Sequence, residues 1–141
     1  MALQRTRKYQ IARKPMRRYR YKPRSKRAGL KDELDRLTSL IVRKRDKACV
    51  LCGRTDDIQA GHLYSRRYLA IRWDLKNVNA QCSAHNILHN EHPHLYMDWF
   101  QRTFSEDALI ELSERRWRAK RFTDEELKNM VCEYRKILAT T

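Results

Sequence analysis

The stretch CVLCGRTDDIQAGHLYSRRYLAIRWDLKNVNAQCSAHN, residues 49–86, decides how this chain folds. It opens on Cys49-x-x-Cys52 and closes on Cys82-x-x-His85. Two residues between ligands let a tight knuckle, or a first helical turn, present both donors to one ion. Zinc takes four such donors in a tetrahedron, and a complete set leaves no open position. A structural zinc on Cys49, Cys52, Cys82 and His85 is therefore expected. His89, one turn further on, competes with His85 for the fourth place. The competing explanation makes Cys49 and Cys52 ordinary small buried residues and His85 a surface histidine. Two independent ligand spacings count against it.

The gap between the pairs is long enough for two strands and a loop. Residues 58–63 read as a first strand and residues 68–73 as a second. Residues 74–81, rich in Asp and Asn, read as a loop. A helix is expected over 83–90, stopped by Pro93. Outward on the N-terminal side, Leu30, Leu34, Leu37 and Ile41 recur at helical spacing. That helix should start at Gly29 and end near residues 46–48, with Arg43, Lys44 and Arg45 in its last turn, where cations suit the dipole. On the C-terminal side, Leu95, Trp99 and Phe100 form an apolar stripe. Ser105 reads as an N-cap, with Glu106 and Asp107 behind it. Thr123-x-x-Glu126 reads as a capping box, followed by Leu127, Met130, Val131, Tyr134 and Leu138 on one face. Cys132 falls in this helix and is expected to be a buried thiol. The fold class is thus α+β: a zinc-stapled ββα core between an N-terminal helix and C-terminal helices.

The 141 residues suit one domain. Their formal net charge is +15, from 32 Lys and Arg against 17 Asp and Glu. Such a surplus is the footprint of a polyanion binder, with nucleic acid the first partner. It is concentrated at the start, where residues 1–27 hold twelve Lys or Arg and no acid. Tyr9, Tyr19 and Tyr21 are interleaved with them, and Pro15 and Pro23 break any long helix. Residues 1–28 should be a disordered nucleic-acid-binding arm, with Arg17, Arg18 and Arg20 among its contacts, and residues 29–141 the folded domain. A solubilising tail is the plainer alternative. No apolar run reaches membrane-spanning length and no secretory h-region follows the basic start, so no membrane partner is expected. Cysteines clustered with histidines favour metal binding in a reducing cytoplasm over a disulfide framework.

A second constellation lies between and just beyond the ligand pairs. Gly61-His62, Arg66, Arg67, Arg72 and Asn77 precede Cys82, and Asn86 follows His85. Asn86, His89 and Asn90 share one helical face and could offer donors to a hard divalent ion. Phosphodiester hydrolysis needs a base for water, a cation for the phosphorane and help for the leaving oxygen. His62 suits the first role, because imidazole titrates near neutral pH. An ion on Asn86 suits the others, and Arg66 and Arg67 could clamp phosphate. On these residues alone, catalysis competes evenly with a plain zinc-stapled binding module.

The order of these residues resembles the HNH nuclease motif, a base His on a first strand, a middle Asn five residues before the third zinc ligand, and a His or Asn after the fourth. Those positions read His62, Asn77 and Asn86. The pattern is most similar to the phage NinG (Rap) family of recombination nucleases. The shared residues run from Arg43-x-Arg45-Asp46 through Ala60-Gly61-His62-x-x-Ser65-Arg66, Arg72 and Asn77-Val78-x-Ala80-Gln81-Cys82 to Asn86 and Tyr96. The resemblance implies a ββα-metal fold and Mg²⁺- or Mn²⁺-dependent cleavage of duplex or branched DNA in a bacterial host. Products would carry 5′ phosphate and 3′ hydroxyl ends. It gives His62 the role of base, sets Asn77 to orient the opposing loop, and puts Arg66 and Arg72 on phosphates. A homodimer, or phage recombination or packaging proteins, are further candidate partners. Departures are His85 for the usual Cys, Gly61, as in its nearest relatives, where many HNH enzymes have a metal-binding Asp, and Glu91-His92 for a Gly-Asn pair. The rivals are a zinc-stapled, non-catalytic nucleic-acid-binding protein and, on the arm alone, an RNA-binding structural protein.

Overall fold

The long first helix sets the frame. In the computed structural model, which describes residues 24–141, helix α1 spans Lys26–Asp46. It begins earlier than Gly29, because the Ser25 hydroxyl accepts from the Ala28 amide and caps it. Lys47, in the left-handed region at φ 62°, ends it. Arg17, Arg18 and Arg20 lie outside the described residues.

Strand β1 (Ile58–His62) pairs antiparallel with β2 (Val78–Cys82), Ala60 opposite Ala80 and Gly61 opposite Asn79. Helices α2 (Ser83–Leu88), α3 (Pro93–Thr103), α4 (Glu106–Arg116) and α5 (Asp124–Thr140) follow. The fold is therefore mixed α+β, with the two strands leading directly into a short helix.

Two expectations are corrected here. The second strand is Val78–Cys82, not residues 68–73. All five of its residues are buried, so no alternation marks it. Its outer edge is satisfied by distant groups rather than by a third strand. Asp46 Oδ2 accepts from the Ala80 amide at 2.8 Å, and the Val50 amide donates to Ala80 O at 2.9 Å. Arg45 donates to Val78 O and to Asn79 Oδ1. Residues 68–73 instead turn repeatedly, with Ile71 N to Tyr68 O and Asp74 N to Ile71 O. That winding sends Ile71 and Trp73 into different cores. The α2 helix is also shorter than expected, and Pro93 opens α3 rather than merely stopping α2.

One core joins Leu34 and Leu37 of α1 to Trp73 and to Leu127 and Val131 of α5. The other joins Leu63, Tyr64 and Ile71 to Tyr96, Phe100 and Leu112. In α3 the inward pair is Tyr96 and Phe100, while Leu95 is exposed. Each fully buried side chain of this kind contributes about 1.5–3 kcal/mol. The caps at Ser105 and Thr123 form as expected, the latter as a full capping box. Cys132 is exposed, not buried, because it falls off the stripe that α5 turns toward α1.

Candidate functional site

The loop after α1 folds back as a knuckle. The Cys49 amide donates to Arg54 O and the Gly53 amide to Cys49 O, with Gly53 at φ 75°. Cys82 ends β2, and His85 stands on the first turn of α2. The donor atoms of Cys49, Cys52, Cys82 and His85 all lie within 4.8 Å of one another. The Cys52 and Cys82 sulfurs are 3.9 Å apart, and His85 Nδ1 is 3.7 Å from Cys49 Sγ and 3.2 Å from Cys82 Sγ. A tetrahedral zinc with ordinary bond lengths would set sulfurs about 3.8 Å apart and sulfur and nitrogen about 3.6 Å apart. The cluster therefore fits zinc, with His85 and not His89 as fourth ligand. Burial raises the pKa of the Cys49 thiol. Backbone amides of Cys82, Leu51 and Cys52 outweigh it and hold the thiol below its usual range, favouring the thiolate a metal needs.

Next to this knuckle lies an open cleft of about 710 Å³. His62, Arg66, Arg67, Asn86, His89 and Asn90 all line it, so the structure brings the end of β1 and the outer face of α2 to one place. Among the described residues that line it there is no carboxylate. A smaller recess of about 310 Å³ separates α1 from β1, and His62 and Arg66 line both.

His62 is oriented by the chain itself. Its Nε2 lies 3.0 Å from Arg72 O. A carbonyl only accepts, so Nε2 carries the proton and Nδ1 is left as a bare lone pair. Burial pushes the His62 pKa down, and the Arg66 cation adds to that, while the bond to Arg72 O opposes it. The ring is neutral at neutral pH.

Arg72 meets the site through that carbonyl. Its guanidinium makes a two-bond fork with Asp35, Nε to Oδ1 at 2.9 Å and a terminal nitrogen to Oδ2 at 2.5 Å. Trp73 Nε1 and Arg66 also donate to Asp35. Burial works against the Asp35 carboxylate, but the bonds from Arg72 and Trp73 outweigh it and hold its pKa below the usual range. Asp35 thus fixes Arg72, and Arg72 fixes His62. Sequence reasoning missed Asp35; its only signal is an acid set between the core positions Leu34 and Leu37.

Asn77 is fully buried and spends its amide on the loop after β1. Oδ1 accepts from the Tyr64 amide, and Nδ2 donates to Tyr64 O and Ile71 O. Asn86 donates from Nδ2 to Gln59 Oε1, which leaves its Oδ1 uncommitted. Asn90 donates to Ile87 O in the same sense. His89 Nε2 donates to Leu63 O, and its ring stands edge-on to Tyr96; the buried Nδ1 has no partner among the described residues. The Tyr96 hydroxyl donates to Gly61 O and accepts from Asn79, and burial pushes its pKa far up. Gly61 has no room for a side chain: a Cβ there would lie 2.1 Å from Gln81 Oε1.

A family model described as "Bacteriophage Lambda NinG protein" matches residues 1–140. This chain belongs to the NinG family. No curated protein and no solved structure matches it. For a NinG-family chain, the arrangement joins a closed Cys₃His cluster to an open basic cleft. Among the described residues no helix is long and apolar enough to cross a membrane.

Proposed function

We propose that this NinG-family chain is an HNH-type endonuclease that hydrolyses DNA, acting on branched or recombination-intermediate DNA in an infected cell. One observation carries the proposal: a neutral His62 with its Nδ1 lone pair unspent shares a carboxylate-free basic cleft with Asn86. The zinc-fitting cluster beside it ties the knuckle, β2 and α2 together, so it fixes the α2 wall of the cleft, while the β1 wall is held to β2 by strand pairing.

His62 Nδ1 takes a proton from water as the water oxygen bonds to phosphorus. The bond from phosphorus to the 3′ oxygen breaks, and that oxygen takes a proton from solvent. Arg66 and Arg67 hold the non-bridging oxygens. Asn77 keeps the loop that carries them closed against β2. A Mg²⁺ or Mn²⁺ ion, when bound, supplies Lewis-acid stabilisation of the phosphorane and of the leaving oxygen. The uncommitted oxygens of Asn86 and Asn90 fit such an ion as neutral donors. His89 Nδ1 is enclosed and fits less well. Without a carboxylate in the cleft, the charge to hold the ion must come from the DNA phosphate. Metal binding should therefore be weak alone and strengthened by DNA.

The test is nicking of supercoiled plasmid with Mg²⁺ by the wild type and by His62→Ala, each with its zinc content and DNA affinity measured. Cleavage should fall by about 10²–10⁴-fold in the variant, with zinc and DNA binding retained. Two equally inert proteins that still hold zinc and DNA would instead establish the non-catalytic binding module.

A further inference from the structure

At one rim of the cleft, cations and aromatic rings are stacked on one another. The Arg116 guanidinium lies 4.3 Å from the Tyr64 ring centre, 4.8 Å from that of Trp117 and 5.8 Å from that of Tyr68. The Arg67 guanidinium sits 5.1 Å from the Tyr68 ring. Tyr68 and Trp117 meet edge to face at 5.3 Å. Trp117, which caps α4, remains 67 % exposed. A large aromatic left this open beside a charged cleft is unusual, because indole ordinarily contributes by burial.

The charges differ from those elsewhere at the site. Arg66 and Arg72 share Asp35, and Arg115, next to Arg116 in the chain but outside the cleft, pairs with Asp74 and Glu111. Arg116 has no ion pair among the described residues, and its buried Nε has no hydrogen-bond partner. An arginine held on aromatic faces rather than by an acid keeps its charge available to an anion. An open indole next to such a cation suits a flat π-face attached to a phosphate. In a continuous duplex the base faces are already stacked. An unpaired nucleotide has one to offer.

We propose that Trp117, Tyr68 and Arg116 form a stacking subsite for an unpaired nucleotide of DNA, the base against Trp117 and its phosphate toward Arg116. This rests on the cleft being a DNA site. It adds that substrates are chosen by a single-stranded segment, such as a flap or branch, next to the bond that is cut.

Binding is measured without cleavage, using the zinc-loaded full chain in EDTA-free buffer lacking Mg²⁺ and Mn²⁺. The probes are a plain duplex and the same duplex with a single-stranded flap. The flap should quench tryptophan emission, and Trp117→Leu should abolish that quenching. Trp117→Leu should weaken the flap complex roughly tenfold or more and the duplex complex less than about twofold. Trp117→Phe should restore most of the flap affinity. Equal loss for both probes, or no quenching, would overturn the subsite. A concentration-dependent dimer that Trp117→Leu disrupts, with flap affinity unchanged, would overturn it by assigning the face to a second copy. A protein that cleaves nothing yet shows flap-specific quenching would sink the nuclease reading and leave this one standing.

Discussion

The knuckle and the cleft are neighbours built on opposite principles. In the knuckle three sulfurs and one imidazole lie within 4.8 Å of one another, a complete tetrahedral set that a zinc ion would use up. In the cleft the donors are held in place by bonds made from their other ends. His62 spends Nε2 on Arg72 O, and Asn86 spends Nδ2 on Gln59. Nδ1 of the first and Oδ1 of the second are left over. A saturated site can only hold shape, whereas a site with oriented, unspent lone pairs can bind and react. The pairing teaches that the rigid centre and the reactive one are separable in kind although both use α2.

Breaking the knuckle should have the largest effect. Structural zinc is worth about 10–16 kcal/mol of apparent binding free energy, comparable to the whole stability of a small domain, about 5–15 kcal/mol. Chelation, or Cys82→Ser, should abolish the cooperative thermal transition followed by circular dichroism. Breaking the cleft at His62 should leave that transition in place while cleavage collapses, which separates the two regions cleanly.

Asp35→Asn lies between these extremes. It removes the carboxylate that fixes Arg72, so cleavage should fall roughly tenfold, and lost charge-assisted hydrogen bonds should cost about 1.5–3 kcal/mol in denaturant melts. A positioning role has a further signature. The Asp35 charge raises the pKa of His62, so neutralising it should move the acid limb of the rate profile to lower pH. Merely structural damage would lower the rate without moving that limb. The smallest expected change is Gly61→Ala. Its Cβ meets the buried Gln81 amide, which should cost about 1–3 kcal/mol with zinc affinity unchanged. Adding Gln81→Ala should recover part of that loss.

Much of the knuckle is legible in the sequence because its chemistry is local. Each ligand pair is three residues apart, and a turn of chain is enough to join the donors. The caps at Ser105 and Thr123 are legible for the same reason. The strand Val78–Cys82 was not, because Asn79 and Gln81 mark it as loop. Only Arg45 and Tyr96, distant in the chain, show what satisfies the buried Asn79 amide, and Asp46 what holds the Ala80 backbone; the buried Gln81 amide has no hydrogen-bond partner among the described residues. Asp35 escaped likewise, since its fork with Arg72 spans 37 residues. The Gly-His pair at residues 61 and 62 was visible as a candidate base. The carbonyl that selects its tautomer was not.

The central claim, that the cleft is a hydrolytic site with His62 as its base, is tested most directly by single-turnover DNA cleavage as a function of pH. With zinc and Mg²⁺ present, the wild-type rate should rise with pH through a midpoint below the ordinary histidine value of about 6.5 and then level off. His62→Ala should lose that inflection together with at least about two orders of magnitude in rate. A His62→Ala protein that keeps the wild-type rate and the same inflection would contradict the account.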